Sequence, residues 1–440
     1  MNHNFQKIIY ILLPAALFFF SGTAFAQSLP ADSLSLETII GEVVQSHPMV
    51  KKAQEDLTVS DAKIGIAKSA TLPTVGFETS YTRIGPISNI SIPDLGSFSL
   101  MPHDNYSASI SASQTIYDFG KTQKNIALET QGKQLSGATV EQVKQKLSQT
   151  VIANYYSLVY LQEAVKIKDE ELRMLNEHLG YIQKKLATGS ATNYEVLTTQ
   201  VRISNKENQK TDLLTAIEVK VSQINSLLGR PESTKLLVKR QLGLAMPEMQ
   251  SDSLFASAMR NRDEMKLARE KDKLAQMRYS LVSSQNSPVI SAFASGGFKN
   301  GYIPYMNDPT PNFAVGFGLK VPIFDGHRKT YSLTQAQSAI DANNQETEIA
   351  RRQIVDEIVE TEANMGAALK KVGQSELQLK QAVQAYELAK VKFDAGVITN
   401  LELIESSTTV SESRLMLLKS KIDYTVSSYK LKSAVGERLY

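Results

Sequence analysis

A spacing of 207 residues recurs along this 440-residue chain and ties three landmarks to three later ones. Ile116, Tyr117 and Asp118 return as Ile323, Phe324 and Asp325. Gly189, Thr192, Asn193 and Glu195 return as Gly396, Thr399, Asn400 and Glu402, and Leu228-Gly229 returns as Val435-Gly436. One spacing shared by all three means that a whole structural unit is duplicated, and the period is far too long for a solenoid repeat. The fold must therefore hold two copies of one set of elements.

Within each copy the hydrophobic period changes in the same order. Apolar residues such as Ile39, Val43, Val50, Leu57 and Ile64 recur at mostly helical spacing over about 35–70. His47-Pro48 should interrupt that helix, since a residue before proline avoids the α region. Past Leu72-Pro73 the period drops to two, which predicts strands at 74–82 and 106–117 around a Gly-, Pro-, Ser- and Asn-rich loop at 85–104. A proline-free helical pattern fills 121–187, a turn covers 188–193, and a helix runs over 194–228 to Gly229-Arg230-Pro231. The second copy has a helix at 252–284, strands at 289–298 and 313–324, and helices at 328–394 and 401–435. The two structural repeats thus occupy 27–230 and 252–440. Between them 231–251 breaks the helical pattern, as an equatorial band around a helical layer would.

The helices 121–187 and 328–394 each count 67 residues, a rod of roughly 100 Å at the α-helical rise. In each copy the two flanking helices nearly match that length when stacked end to end. Each copy is expected to be a two-rod layer with a strand pair at one end and a tight turn at the other.

Residues 1–26 read as a cleavable secretory signal: Lys7, an apolar run from Ile8 to Phe20, and Ala24-Phe25-Ala26 before Gln27. That run is broken by Pro14 and is too short to span a bilayer, and no later stretch reaches about 18 uncharged apolar residues. The chain has no cysteine, which excludes disulfides, thiol catalysis, thiolate metal sites and an acylated cysteine anchor. With 48 basic against 45 acidic residues, no electrostatic case for nucleic acid exists.

The strand segments are about ten residues long, enough to cross a bilayer as tilted β-strands. In the last of them Phe313, Val315, Phe317, Leu319, Val321 and Ile323 share one face, while Gly316, Gly318 and Lys320 share the other. An apolar face opposite a small or polar one is the pattern of a barrel wall, and also of a half-buried soluble hairpin. Four strands cannot close a barrel and open edges are not tolerated in lipid, so a membrane role demands that several chains pool their strands.

Duplicated halves, Leu72-Pro73 before the first strand, Ile323-Phe324-Asp325-Gly326 after the fourth, and Gly-x-x-Thr-Asn at both helical turns resemble the TolC-like outer-membrane efflux proteins. The resemblance covers nearly all of the mature chain. It implies a membrane α/β architecture: a homotrimer whose 12-stranded outer-membrane β-barrel, four strands per chain, continues into a long periplasmic α-helical barrel. It also implies a passive exit duct for tripartite efflux or type I secretion. The partners would be outer-membrane lipid, a periplasmic adaptor (membrane fusion) protein and an inner-membrane pump of RND or ABC type, with no cofactor.

By the same resemblance the two turns form a periplasmic tip where adaptors dock, through Gly189, Ser190, Thr192, Gly396, Val397 and Thr399. Each glycine also suits a helix C-terminus, and each threonine an N-cap. Glu402 and Glu405, one helical turn apart, align with acidic residues lining the family's constriction, with Glu195 and Tyr194 at the first turn. Six carboxylates in a ring would raise some pKa values and attract cations. An acidic residue in a first helical turn equally suits the helix dipole. Some members have a basic residue near the second turn where this chain has Ile398, so closure is expected to rely on packing and on Tyr194.

Two other classes fit the sequence less well. An enzyme is disfavoured: His3, His47, His103, His178 and His327 are scattered, and neither a nucleophile elbow nor a phosphate loop occurs. A secreted coiled-coil scaffold or adhesin would suit the long helices, with Lys168, Asp169, Glu170 and Glu171 as a solvated face. It has no use for two strand pairs with glycine-rich faces.

Overall fold

The computed structural model describes residues 33–93, 96–242 and 251–440, so the signal-peptide reading and part of 231–251 lie outside the described residues. The first repeat contains α1 (Leu36–Ser46), α2 (Pro48–Ser69), β1 (Thr74–Arg83), a small hairpin of β2 (Asn89–Ile92) and β3 (Gly96–Ser99), β4 (Asp104–Tyr117), α3 (Lys121–Ala187) and α4 (Asn193–Leu228). The second contains α5 (Ser251–Asn261), α6 (Asp263–Ser283), β5 (Val289–Lys299), β6 (Thr310–Lys320), α7 (Arg328–Asp394) and α8 (Asn400–Ala434).

The break at His47 arises as its proline predicts: His47 is extended and its Nδ1 accepts from the Met49 N–H at 3.2 Å, capping α2. The single helix expected over 252–284 is instead two, parted at an extended Arg262 (ψ 137°). No proline marks this break. The Arg262 guanidinium is drawn inward to nearby Glu264 (2.9 Å) and to Glu357 (2.7 Å) and the Ala434 carbonyl (3.3 Å), and the last two are supplied only by the tertiary fold.

The strand expected over 313–324 runs from Thr310 to Lys320. Apolar alternation continues through Val321 and Ile323, but Pro322 has no N–H to donate to a ladder. The loop expected over 85–104 holds the β2–β3 hairpin, and this insertion is why Thr74 and Val289 lie 215 positions apart while the later helices keep the 207 step.

The four long strands make one antiparallel sheet in the order β1-β4-β5-β6. One face carries exposed Val75, Phe77, Ile110, Phe313, Val315 and Phe317. The other carries Thr74, Ser80, the serines at 107, 109, 111 and 113, and Ser291, with hydroxyl pairs Ser80–Ser107 at 2.9 Å and Thr74–Ser113 at 2.8 Å. The two faces differ in polarity, although Phe293 stands on the hydroxyl side, opposite Ser113 and Gly316.

Beyond the sheet, α3 lies beside α2 and α6 in its first half and beside α4 and α8 in its second, and α7 lies beside α6 and α8. The helices therefore form a layer in the order α4-α3-α8-α7. At its waist, α1 buries Leu36, Ile39 and Val43 against Tyr155, Tyr156 and Leu158 of α3. The start of the inter-repeat segment joins this core: Leu236 and Val238 are buried, Val238 bridges Leu34, and the Tyr155 hydroxyl donates to the Lys239 carbonyl at 2.7 Å.

The solvated face expected for 168–171 is corrected. Lys168 and Glu171 are buried, with the Lys168 and Lys206 ammonium groups each 2.8 Å from a Glu171 oxygen. Asp169 and Glu170 remain exposed and pair with Lys210 and Arg414.

Candidate functional site

Far from the sheet, the α3–α4 and α7–α8 turns meet over a shared apolar knot of Ile182, Phe393 and Leu403, with Ala191, Val196 and Ile398 packed around it. Ile398 thus contributes packing within the chain. Gly189 and Gly396 have φ of 74° and 72°, the left-handed region that a Cβ disfavours. Helix-terminal carbonyls are closed by Ser190 N–H to Lys185 O at 2.8 Å and Val397 N–H to Lys392 O at 2.8 Å. No atom lies within 4 Å of where a Cβ would stand on either glycine, so backbone conformation, not space, selects glycine here.

Both returning helices start on reciprocal capping boxes. Thr192 Oγ1 accepts from the Glu195 N–H at 3.3 Å, and a Glu195 carboxylate oxygen accepts from the Thr192 N–H at 2.7 Å. Thr399 and Glu402 repeat this at 3.3 and 2.7 Å. The Thr399 N–H, then its hydroxyl, hold the Glu402 carboxyl below the usual carboxylate range. Within one chain this is the opposite of the rise that a carboxylate ring would cause.

Glu405 differs. Its carboxylate accepts from the Arg202 guanidinium at 2.5 Å, an ion pair joining α8 to α4. Sequence reasoning passed over Arg202, yet a signal exists: the repeat mates of Arg202 and Glu405 are Thr409 and Thr198, so the charges sit in one repeat-related pair and not in the other. His178, read from the sequence only as one of five scattered histidines, also belongs here. Its Nε2 lies 2.5 Å from Asn400 Oδ1, and Asn400 Nδ2 donates to Thr199 Oγ1 at 3.1 Å, which ties α3, α4 and α8 together. Tyr194 and Val397 are exposed at the end of the turn region, together with Ser190. The Lys185 ammonium sits 4.9 Å from the ring centres of both Tyr181 and Phe393. The tip is therefore two capped turns on an apolar knot, flanked by polar links on one side.

No helix among the described residues is long and apolar enough to cross a membrane. The family model described as "Outer membrane efflux protein" matches residues 39–230 and 254–437. Outer membrane protein TolC of Vibrio cholerae is 21% identical over 98% of this chain and 95% of that protein. The proteases secretion protein PrtF of Dickeya chrysanthemi is 19% identical over 97% of this chain and 92% of its own length. Among solved structures, the outer membrane protein VceC of Vibrio cholerae superposes with a TM-score of 0.74 at 17% identity, covering 92% of this chain and 97% of that one. Two family-matched segments that coincide with the two structural repeats settle the assignment: the chain belongs to the outer membrane efflux protein family.

Proposed function

We propose that three copies of this chain form a passive exit duct across the outer membrane, serving tripartite efflux or type I secretion. The observation that carries the reading is that sheet and helical layer are open at corresponding edges. Strands β1 and β6 end the sheet, and α4 and α7 end the layer, among the described residues. Edges belonging to opposite ends of one chain join head to tail, and such a contact closes into a ring when the rotation between copies divides a full turn. A lipid-embedded sheet needs that closure, and barrels begin at eight strands, so at least two copies are required. Three, giving 12 strands, is the number the family resemblance implies.

In this reading the apolar strand face meets lipid and the hydroxyl face lines water. The repeats 27–230 and 252–440 supply the staves, 231–251 the waist, and 1–26 the export signal. The tip, with Gly189, Ser190, Thr192, Gly396, Val397 and Thr399, receives a periplasmic adaptor that leads to an inner-membrane pump. Glu402, Glu405, Glu195 and Tyr194 stand at the constriction. Relatives named for pyoverdine export and for protease secretion support a conduit whose cargo is chosen by its pump.

Fractionation followed by planar-bilayer recording tests this. The protein should need detergent for release from the outer membrane and should then conduct ions. Release without detergent and absence of conductance would instead favour a soluble scaffold.

A further inference from the structure

Where the sheet passes into the helices, the first turns of α3 and the last turns of α6 border an open cleft of about 560 Å³, a size common among small-molecule sites. Half-buried Leu281, Val282 and Val289 give it an apolar wall, and Lys121 and Arg278 give it two cations. Neither of these side chains has an ion-pair or hydrogen-bond partner among the described residues. The carboxylate in the lining, Asp118, is already engaged: it accepts from the Gly120 N–H at 3.1 Å, the Thr122 N–H at 2.7 Å and the Thr122 hydroxyl. Lys320 adds an exposed cation, directly across from Val289 in the sheet.

We propose that this cleft binds small organic anions that carry an apolar body. Lys121 and Arg278 would hold a carboxylate or sulfonate through charge-assisted hydrogen bonds, while the leucine and valines cover the apolar part. An inorganic anion alone would leave that wall uncovered. The sheet sets the direction in which the cleft faces. Thr115, in its lining, pairs with Ser291, and Val289 shares the strand face of Ser291, so the cleft opens under the hydroxyl side. Exposed Val75, Phe77 and Phe313 lie on the other side. The ligand therefore arrives through water, and its role as cargo within the passage rests on the duct reading above.

The repeat keeps this chemistry. Lys121 returns as Arg328 after 207 residues, and Arg278, Leu281 and Val282 correspond to Lys63, Ile66 and Ala67 at the 215 step that precedes the strands. Cation answers cation and apolar answers apolar. Charge is not retained by default, because Arg202 and Glu405 have threonines as their repeat mates. Lys63 itself lines the adjoining cleft of about 420 Å³, together with Arg278 and Glu129.

Calorimetric titration of the solubilised protein with naphthalene-2-sulfonate tests this, beside the uncharged 2-naphthol and inorganic sulfate. The sulfonate should bind the parent, and at least about tenfold more weakly when Lys121→Gln and Arg278→Gln are combined, the loss expected from two charge-assisted contacts. Arg278→Lys keeps the charge and should retain binding. Equal affinity in the parent and the double variant overturns the site, and a loss as large in Arg278→Lys overturns the role of charge. Affinity for 2-naphthol or for sulfate equal to that for the sulfonate overturns the ligand class. Displacement of the sulfonate by phosphatidylglycerol added to the micelles would make this a lipid site and overturn the cargo assignment. In planar bilayers under a dilute potassium chloride gradient, the reversal potential should move toward that of potassium in the double variant. A conducting channel without that shift overturns the placement in the passage. A preparation that binds the sulfonate but never conducts overturns the duct reading while the cleft stands.

Discussion

Glu402 and Glu405 sit one turn apart, yet one closes a helix end and the other reaches across to a second helix. Thr399→Ala removes the hydroxyl that receives the Glu402 N–H, and should loosen the first turn of α8 by about 1 kcal/mol. Faster amide exchange confined to that turn is the expected readout. Because Glu402 is held below the usual carboxylate range, its contribution is complete above that range and is lost as pH falls through the lowered value. Amide protection at residues 400–403 should therefore drop in acid in the parent and lose that acid step in Glu402→Gln. If the proposed constriction holds, Tyr194→Ala should raise single-channel conductance more than Glu405→Ala, since Glu405 is already held by Arg202. Conductance of Tyr194→Ala equal to the parent's would sink the role given to packing.

Among the elements, the buried group of Lys168, Glu171 and Lys206 bears most on the pairing of α3 with α4. Glu171→Gln leaves two buried ammonium groups without an anion, which should cost about 3–5 kcal/mol. A large fall in the thermal midpoint of the solubilised protein is expected, with most of it recovered by Lys168→Met, Glu171→Leu and Lys206→Met together. An unchanged midpoint for Glu171→Gln would mean that the lysines reach water. The ends of α3 and α7 were legible because glycine and aspartate punctuate them, and the expected 121–187 and 328–394 are Lys121–Ala187 and Arg328–Asp394 in the structure. Lys168 and Glu171 misled because a charged run looks solvated until Lys206, on another helix, is brought beside it. Arg262 was opaque for the same reason, since its partners Glu357 and Ala434 are remote in sequence. At the tip the capping glycines and threonines could be read locally, whereas the polar partners of Arg202 and His178 lie more than 200 positions away.

At the scale of the molecule, duplication explains why one chain has two unlike ends. Two repeats placed side by side leave β1 and α4 open at one edge and β6 and α7 at the other, the edges that the proposed ring of copies would join. The two turns of each chain are equivalent in backbone and unequal in side chains, since Arg202 and Glu405 have Thr409 and Thr198 as their repeat mates. Native mass spectrometry of protein extracted from the outer membrane tests the central claim of ring closure most directly. The account predicts one species of three chains. A monomer, a dimer or an open series of higher oligomers would contradict it.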